Sequence, residues 1–395
     1  MSAQPETQPA QSATQKFTCP KCGGDMNFDA ASDMLRCPFC SHTMPTPEAS
    51  EVVQEHDLVQ ALGDTSGKAH GFGTAVRSYK CQACGATNNV DPHVTSTACP
   101  FCGSNQVLEQ QPDPDLIQPE SVIPFGVDEA RAHRMFRDWL GRGLFTPNDL
   151  RKSGGGQRLA GVYLPFWTFD AHAESDWTAE SGDYYYVNET VWVTRDGKRV
   201  QEVRRVQKIR WYPSSGRHAA DYDDVLVYAT SSVDVTILEK VYPFDTKKLV
   251  PYNPSYLAGW GAESYRIALA RAWELGQTIV QRQEYDACGR EVPGDTHRNL
   301  RVNTHLSHLK YKHVLLPVWL ASYRYRNKIY RFMINGQTGE VQGQKPISWI
   351  KVAIAVVIAL IVVAIVLYLV SQSESSSGEL PSYYQYAMEY MLPVG

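Results

Sequence analysis

Cys19-Pro-Lys-Cys22 and Cys37-Pro-Phe-Cys40 are separated by fourteen residues, and Cys81-Gln-Ala-Cys84 and Cys99-Pro-Phe-Cys102 repeat that interval. A Cys-x-x-Cys turn sets two sulfurs on one side of an ion and a second turn supplies the other two, about 2.3 Å from a tetrahedral zinc. The spacing therefore predicts two closed, structural Cys₄ zinc sites, Cys19, Cys22, Cys37 and Cys40 in the first and Cys81, Cys84, Cys99 and Cys102 in the second. Gly23, Gly85 and Gly103 follow their knuckles and Ser41 takes that place in the remaining one, where a small residue lets backbone N–H groups turn toward sulfur. Segments of fewer than about 40 residues bury too little apolar surface to fold alone, so each ribbon should depend on its metal.

Other uses of the cysteines fit the context less well. A disulfide framework needs an oxidising compartment, and the polar stretch Met1–Lys16 predicts no signal peptide. A redox pair needs one Cys-x-x-Cys beside a βαβ pattern, whereas here the pairs come four at a time.

Composition sets further bounds. Of 395 residues 43% are hydrophobic and 11% aromatic, enough for two or three domains with a real core. The net charge is −4; the last 25 residues hold Glu374, Glu379 and Glu389 with no Lys or Arg, which leaves −1 for the rest. No domain-scale basic field attracts polyanions, so nucleic acid is not the expected partner. Val352–Val370 is nineteen residues without a charge, and at about 1.5 Å per residue it matches a bilayer's hydrocarbon thickness. Trp349 and Tyr368 sit where an aromatic belt would, and Lys351 is placed to snorkel. Lys328, Arg331, Lys345 and Lys351 precede the span and no basic residue follows it, which predicts an N-terminal bulk in the cytoplasm, where thiolates stay reduced.

The organisation expected is a disordered segment 1–16, ribbon one over 17–44, a linker 45–78 with one short helix over Glu51–Leu62, ribbon two over 79–108, an α+β domain over 116–344, a transmembrane helix 352–370 and an outer tail 371–395. Within 116–344 the sequence echoes itself. Ser121-Val-Ile-Pro-Phe125 precedes a helix and Gly161-Val-Tyr-Leu-Pro-Phe-Trp167, while Lys240-Val-Tyr-Pro-Phe244 precedes a helix and His313-Val-Leu-Leu-Pro-Val-Trp319. That pattern predicts a duplicated helix-plus-antiparallel-sheet unit. Ala132, Met135, Phe136, Trp139 and Leu140 share one helix face, and Leu269, Ala272, Trp273, Gly276 and Val280 another. Arg195-Asp-Gly-Lys198 and Asn335-Gly336 are hairpin signals.

Nothing points to catalysis. Gly63-Asp-Thr-Ser-Gly-Lys68 lacks phosphate-loop spacing, and no nucleophile elbow or nucleotide fingerprint occurs. His297, His305, His308 and His313 read as surface or strand residues, and Cys288 as a structural thiol. No catalytic or cofactor-binding residues are expected beyond the eight zinc ligands, and no enzyme activity.

The paired ribbons, the two Pro-Trp segments and Ile334-Asn-Gly-Gln-Thr-Gly-Glu340 before a terminal membrane helix resemble one bacterial family of double zinc-ribbon, single-pass membrane proteins, often named transcription-factor-like zinc ribbon or primosomal-helicase-like. The likeness covers about residues 17–370, and the helicase name reaches only the cysteine knuckles. It implies association with flotillin-like and phage-shock-type proteins at the plasma (inner) membrane. The expected function is thus a membrane-anchored adaptor that docks protein partners, and the alternative is a membrane-tethered nucleic-acid-binding or transcription-related protein.

Overall fold

The computed structural model describes residues 17–47, 53–63, 77–83, 86–90, 99–101, 104, 107–110, 116–150, 159–195, 198–326 and 328–376. The segment 1–16, nearly all of 63–73 and residues 377–395 of the tail lie outside the described residues. By contact the chain forms two units, one of Met1–Phe136, Gln157–Tyr323 and Arg331–Gly343, the other of Arg137–Gly156, Arg324–Tyr330 and Gln344–Gly395. The fold is α+β, with one large mixed sheet.

In the first unit, β1 (Asn27–Asp29), β2 (Met34–Arg36) and β3 (Thr43–Pro45) make a small antiparallel sheet around the first four cysteines. Phe28 fastens it to the main body: its N–H donates to Ala258 O at 3.0 Å, its carbonyl accepts from Trp260 Nε1 at 3.2 Å, and its ring meets Tyr256 edge-on. Further along, β4 (His56–Asp57) pairs with Lys310 and Tyr311, and helix α1 (Leu58–Gly63) begins where Asp57 accepts from the Gln60 N–H. Leu58 is fully buried in one cluster with Trp167, Phe169 and Tyr311. The stretch that composition reads as linker therefore contains an anchored strand and turn of helix, and the helix expected over Glu51–Leu62 begins only at Leu58, because His56 and Asp57 are held extended by their pairing with Tyr311 and Lys310.

The second cysteine-bearing segment supplies β5 (Arg77–Cys81), β6 (Thr87–Val90) and β7 (Val107–Gln110), which extend the large sheet rather than standing apart. Cys81, Cys99 and Phe101 are buried in one core with Ile123, Leu164 and Phe166.

The sheet's centre is built from two similar runs of elements. Strand β8 (Ser121–Val122) leads into α2 (Glu129–Gly141) and the 36-residue β9 (Ala160–Arg195), which turns back as β10 (Lys198–Tyr228). Helix α3 (Val235–Val241) and strand β11 (Val250–Pro251), which pairs with β8, intervene. Then β12 (Gly261–Glu263) leads into α4 (Leu269–Glu291) and the 30-residue β13 (Thr296–Tyr325), with β14 (Lys328–Asn335) and β15 (Val341–Gly343) closing the chain's β structure. Each short strand pairs in parallel with the long strand of the other run, β8 with β13 and β12 with β9. The two echoed segments face each other in antiparallel register, from Gly161↔Trp319 through Leu164↔Leu316 to Trp167↔His313. Their indoles are exchanged the same way, Trp319 Nε1 donating to Val127 O and Trp167 Nε1 to Ile267 O, each at 2.9 Å. In this order Gly261–Glu263, not Lys240–Phe244, takes the place of Ser121–Phe125 in the second run.

Past the seam, β9 alternates cleanly. Ala171, Ala173, Ser175, Trp177, Ala179 and Ser181 are buried while Glu174, Asp176 and Thr178 are exposed. The small buried residues let α4 lie close, and Gly276 marks the tightest approach, where a Cβ would come within 2.8 Å of the Phe169 ring. The long strands keep this facing through three bulges, between Tyr222 and Val225, Arg298 and Arg301, and Ser307 and Lys310. Each contains a left-handed residue, Asp224, Asn299 and His308, of the types that tolerate positive φ.

The second unit contains the whole of helix α5 (Trp349–Ser376), of which Trp349–Leu369 is long and apolar enough to cross a membrane and is unburied along its length. Its start is tied down by Ser348 N–H to Phe145 O at 2.7 Å and by Lys351 Nζ to Thr146 O at 2.7 Å.

Leu58→Ala should destabilise the chain by about 2–5 kcal/mol, since it empties a fully buried site. Thermal unfolding in detergent that shows no shift would remove α1 from the core.

Candidate metal centre

Four backbone turns share one geometry. The N–H of Cys19 donates to Gly24 O, Cys37 to His42 O, Cys81 to Ala86 O and Cys99 to Ser104 O, all at 2.8–2.9 Å. Such a loop from each leading cysteine to the residue five places on aims both sulfurs of a Cys-x-x-Cys pair the same way. Left-handed backbone closes two of the knuckles, at Gly23 (φ 74°) and Ser41 (φ 59°). Glycine adopts that conformation without strain and serine at a modest cost, so the unusual Ser41 keeps the turn.

In the first quartet the sulfurs of Cys19, Cys22, Cys37 and Cys40 all lie within 4.8 Å of one another. Cys19 and Cys40 are 3.5 Å apart and Cys22 and Cys37 3.4 Å, close to the edge of ~3.8 Å that four zinc–sulfur bonds of about 2.3 Å define. Burial pushes the Cys37 thiol up, but the backbone N–H groups of Cys40 and Phe39, together with the Cys22 and Cys40 thiols, bring it down to about 7; Cys22, despite the Gly24 backbone N–H, is pushed up to about 12 by the Cys37 and Cys40 thiols. The donor set and its spacing fit one metal ion. Of the second quartet Cys81 and Cys99 are buried, and Cys84 and Cys102 lie outside the described residues.

The other sequence candidates do not converge. His297 pairs across from Ser181, His305 from Glu174 and His313 from Trp167, and His308 is a bulge residue, so among the described residues they form no metal cluster. His313 is fully buried between Trp167 and Tyr265, its Nδ1–H donating to Ile117 O, and burial holds its pKa down to about 4. Cys288 is buried on α4, and burial pushes its thiol up, the opposite of activation.

Sequence reasoning missed three sets of polar groups, two of them buried carboxylates, Glu284 and Glu263, and one a partly exposed acidic cluster. Glu284 on α4 accepts from Ser175 and Tyr222, each at 2.6 Å, and so stitches the helix to β9 and β10. Glu55 and Asp170 gather with Asp223, and Lys310 and Lys312 both pair with Glu55, Lys310 at 2.7 Å and Lys312 at 3.3 Å, while Lys312 also reaches Asp224 at 2.7 Å. Glu263 on β12 is fully buried; Ser232 donates to its Oε1, Oε2 has no well-formed hydrogen bond among the described residues, and burial, only partly offset by Ser232 and Thr230, raises its pKa to about 7. Ser232 also lines a cavity of about 280 Å³ with Ser231, Asp234 and Arg331. No sequence signal marked Glu263, because a lone Glu in Gly261-Ala-Glu-Ser264 reads as a turn.

Fold and site together define an α+β protein with a cysteine cluster that can hold one metal ion and a C-terminal helix suited to a membrane. It is 28% identical over 338 residues to the uncharacterized protein YdjG of Bacillus subtilis (strain 168), across 85% of this chain and 92% of that protein. No protein family model matches the chain, and no solved structure matches it.

Purified protein should contain zinc, and Cys37→Ser should release one ion while the large sheet stays folded. Metal analysis that finds none in fully reduced wild type would refute the site. Glu263 sets a pH dependence. Between its ordinary 4.5 and about 7 the folded chain holds a proton that the unfolded chain has lost, so its contribution to stability fades as pH rises. The thermal midpoint should fall more steeply over that window in wild type than in Glu263→Gln, and parallel curves would contradict it.

Proposed function

We propose that the chain is a non-enzymatic, zinc-dependent adaptor anchored in the plasma (inner) membrane by one helix, with its bulk in the cytoplasm and its tail outside. The cysteine quartet carries this reading: four converging sulfurs leave no open coordination position for substrate, so the metal's role is to hold a surface. We extend it to a second zinc at Cys81, Cys84, Cys99 and Cys102, supported by the shared knuckle turns of Cys81 and Cys99. The exchanged pairing of β8 with β13 and β12 with β9 supports descent of the two runs from one duplicated unit. Orientation rests on the four basic residues before the span and none after it.

The two cysteine segments place one matching phenylalanine differently. Phe101, in Cys99-Pro-Phe-Cys102, is 9% exposed within the core, whereas Phe39, in Cys37-Pro-Phe-Cys40, is 78% exposed and lies over Gly24. The first knuckle offers outward the aromatic that the second uses inward, which suits protein docking. The family resemblance implies flotillin-like or phage-shock-type proteins as the partners. The net charge of −4 weighs against the nucleic-acid alternative.

A reporter fused behind Gly395 should be active only outside the cytoplasm. In detergent, the full chain should retain a tagged flotillin-like or phage-shock-type partner, and Phe39→Asp should cut retention about tenfold or more while zinc content stays unchanged. A cytoplasmic reporter signal would reverse the orientation. Undiminished retention by Phe39→Asp would move docking elsewhere, and salt-sensitive retention of oligonucleotide instead of protein would favour the alternative.

A further inference from the structure

Beyond Gly182, β9 has no strand partner on its β13 side among the described residues, because that pairing begins at Thr296↔Gly182 and only the Asp295 side chain reaches further, to the Tyr184 N–H. From Asp183↔Arg210 to Arg195↔Lys198 the hairpin continues as two strands alone, thirteen residue pairs that extend about 40 Å. Residues directly opposite in an antiparallel pair share a face, so the two faces can be read from the register. One carries Asp183, Glu189 and Glu202, with Lys208 paired to Glu189 and Arg204 to Glu202 at 3.1 Å. The other is exposed throughout and has no carboxylate.

That second face holds Tyr184, Tyr186, Trp192, Val203, Arg199 and Arg205, the remainder being Thr, Asn, Gln and Ile. Arg205 lies over the Tyr186 ring at 4.2 Å and Arg199 over Trp192 at 6.0 Å. Two guanidiniums thus stand on aromatic rings with no carboxylate on their own face to neutralise them.

We propose that this arm lies with its carboxylate-free face on an anionic lipid surface. Guanidinium forks match headgroup phosphates, tyrosine and tryptophan rings settle at headgroup depth, and Val203 is apolar enough to enter below them. Two rivals fit less well. The guanidiniums cover the ring faces on which bases of a single strand would stack. A second copy docked face to face would set arginine against arginine with no acid between them. The anchoring proposed above would bring the chain to a lipid surface, and the arm's chemistry does not depend on it.

The test separates the two. Full-length protein held in discs of neutral phosphatidylcholine is mixed with vesicles of phosphatidylcholine alone or containing phosphatidylserine, and hydrogen exchange is followed over residues 183–210. Phosphatidylserine vesicles should slow exchange in the arm about fivefold or more, neutral vesicles should not, and Arg199→Ser/Arg205→Ser should abolish the effect. Unchanged exchange over residues 160–182 verifies that the variant is folded. No protection, equal protection by neutral vesicles, persistence in the double variant, or stronger protection by a single-stranded oligonucleotide would each overturn the proposal. Failure of the chain to enter discs would instead count against the anchor, and the vesicle measurement would still be made on the detergent-solubilised chain.

Discussion

The antiparallel pairing of Gly161–Trp167 with His313–Trp319 is the constraint on which the first unit depends. Both segments are buried on both faces, and each carries a proline, Pro165 and Pro317, that donates no ladder hydrogen bond. The cost is contained because each proline lies in register with a residue of the other segment, Pro165 with Leu315 and Pro317 with Tyr163, so the gaps are spread about the centre at Leu164↔Leu316. The two indoles then reach outward to Val127 and Ile267, just before α2 and α4, and fix where each helix begins. Everything else in the unit attaches to this seam.

The cysteine-bearing segments attach to it through aromatic residues. Trp260 donates to Phe28 of the first segment and stacks on Phe125 at 4.1 Å, and Phe125 in turn meets Trp319. Gly161 accommodates this stack, since a Cβ there would lie 2.1 Å from the Trp260 ring. Metal at the first quartet would therefore order strands that share hydrogen bonds with the central body, and the energy of binding would be felt beyond the ribbon itself.

Much of this was legible. The Arg195–Lys198 turn, the Asn335–Gly336 turn and the faces of α2 and α4 lie where turn chemistry and the 3.6-residue period place them, as Ala132, Phe136 and Leu140 or Ala272, Gly276 and Val280 show. The cysteine spacing found the first quartet. What it could not give was length. Ala171–Ser181 alternates correctly but, apart from His172, Trp177 and Thr178, is made of alanine, serine and acids, which do little to favour a strand, so a 36-residue strand hides as irregular chain until α4 is placed over it. Propensity likewise fails at Lys312 and Glu284, charged residues that tertiary partners make tolerable in the interior.

The three bulges bear on how such a sequence can change over generations. A residue lost or gained within an ordinary stretch of these strands would turn every later side chain to the opposite face, exchanging core for solvent over tens of ångströms. At Asp224, Asn299 and His308 two residues already oppose one, so a deletion there would restore plain pairing and leave both flanks facing as before. Single-residue gaps between this chain and its relatives should gather at these three points, which makes them natural markers of kinship among proteins whose side chains have otherwise diverged.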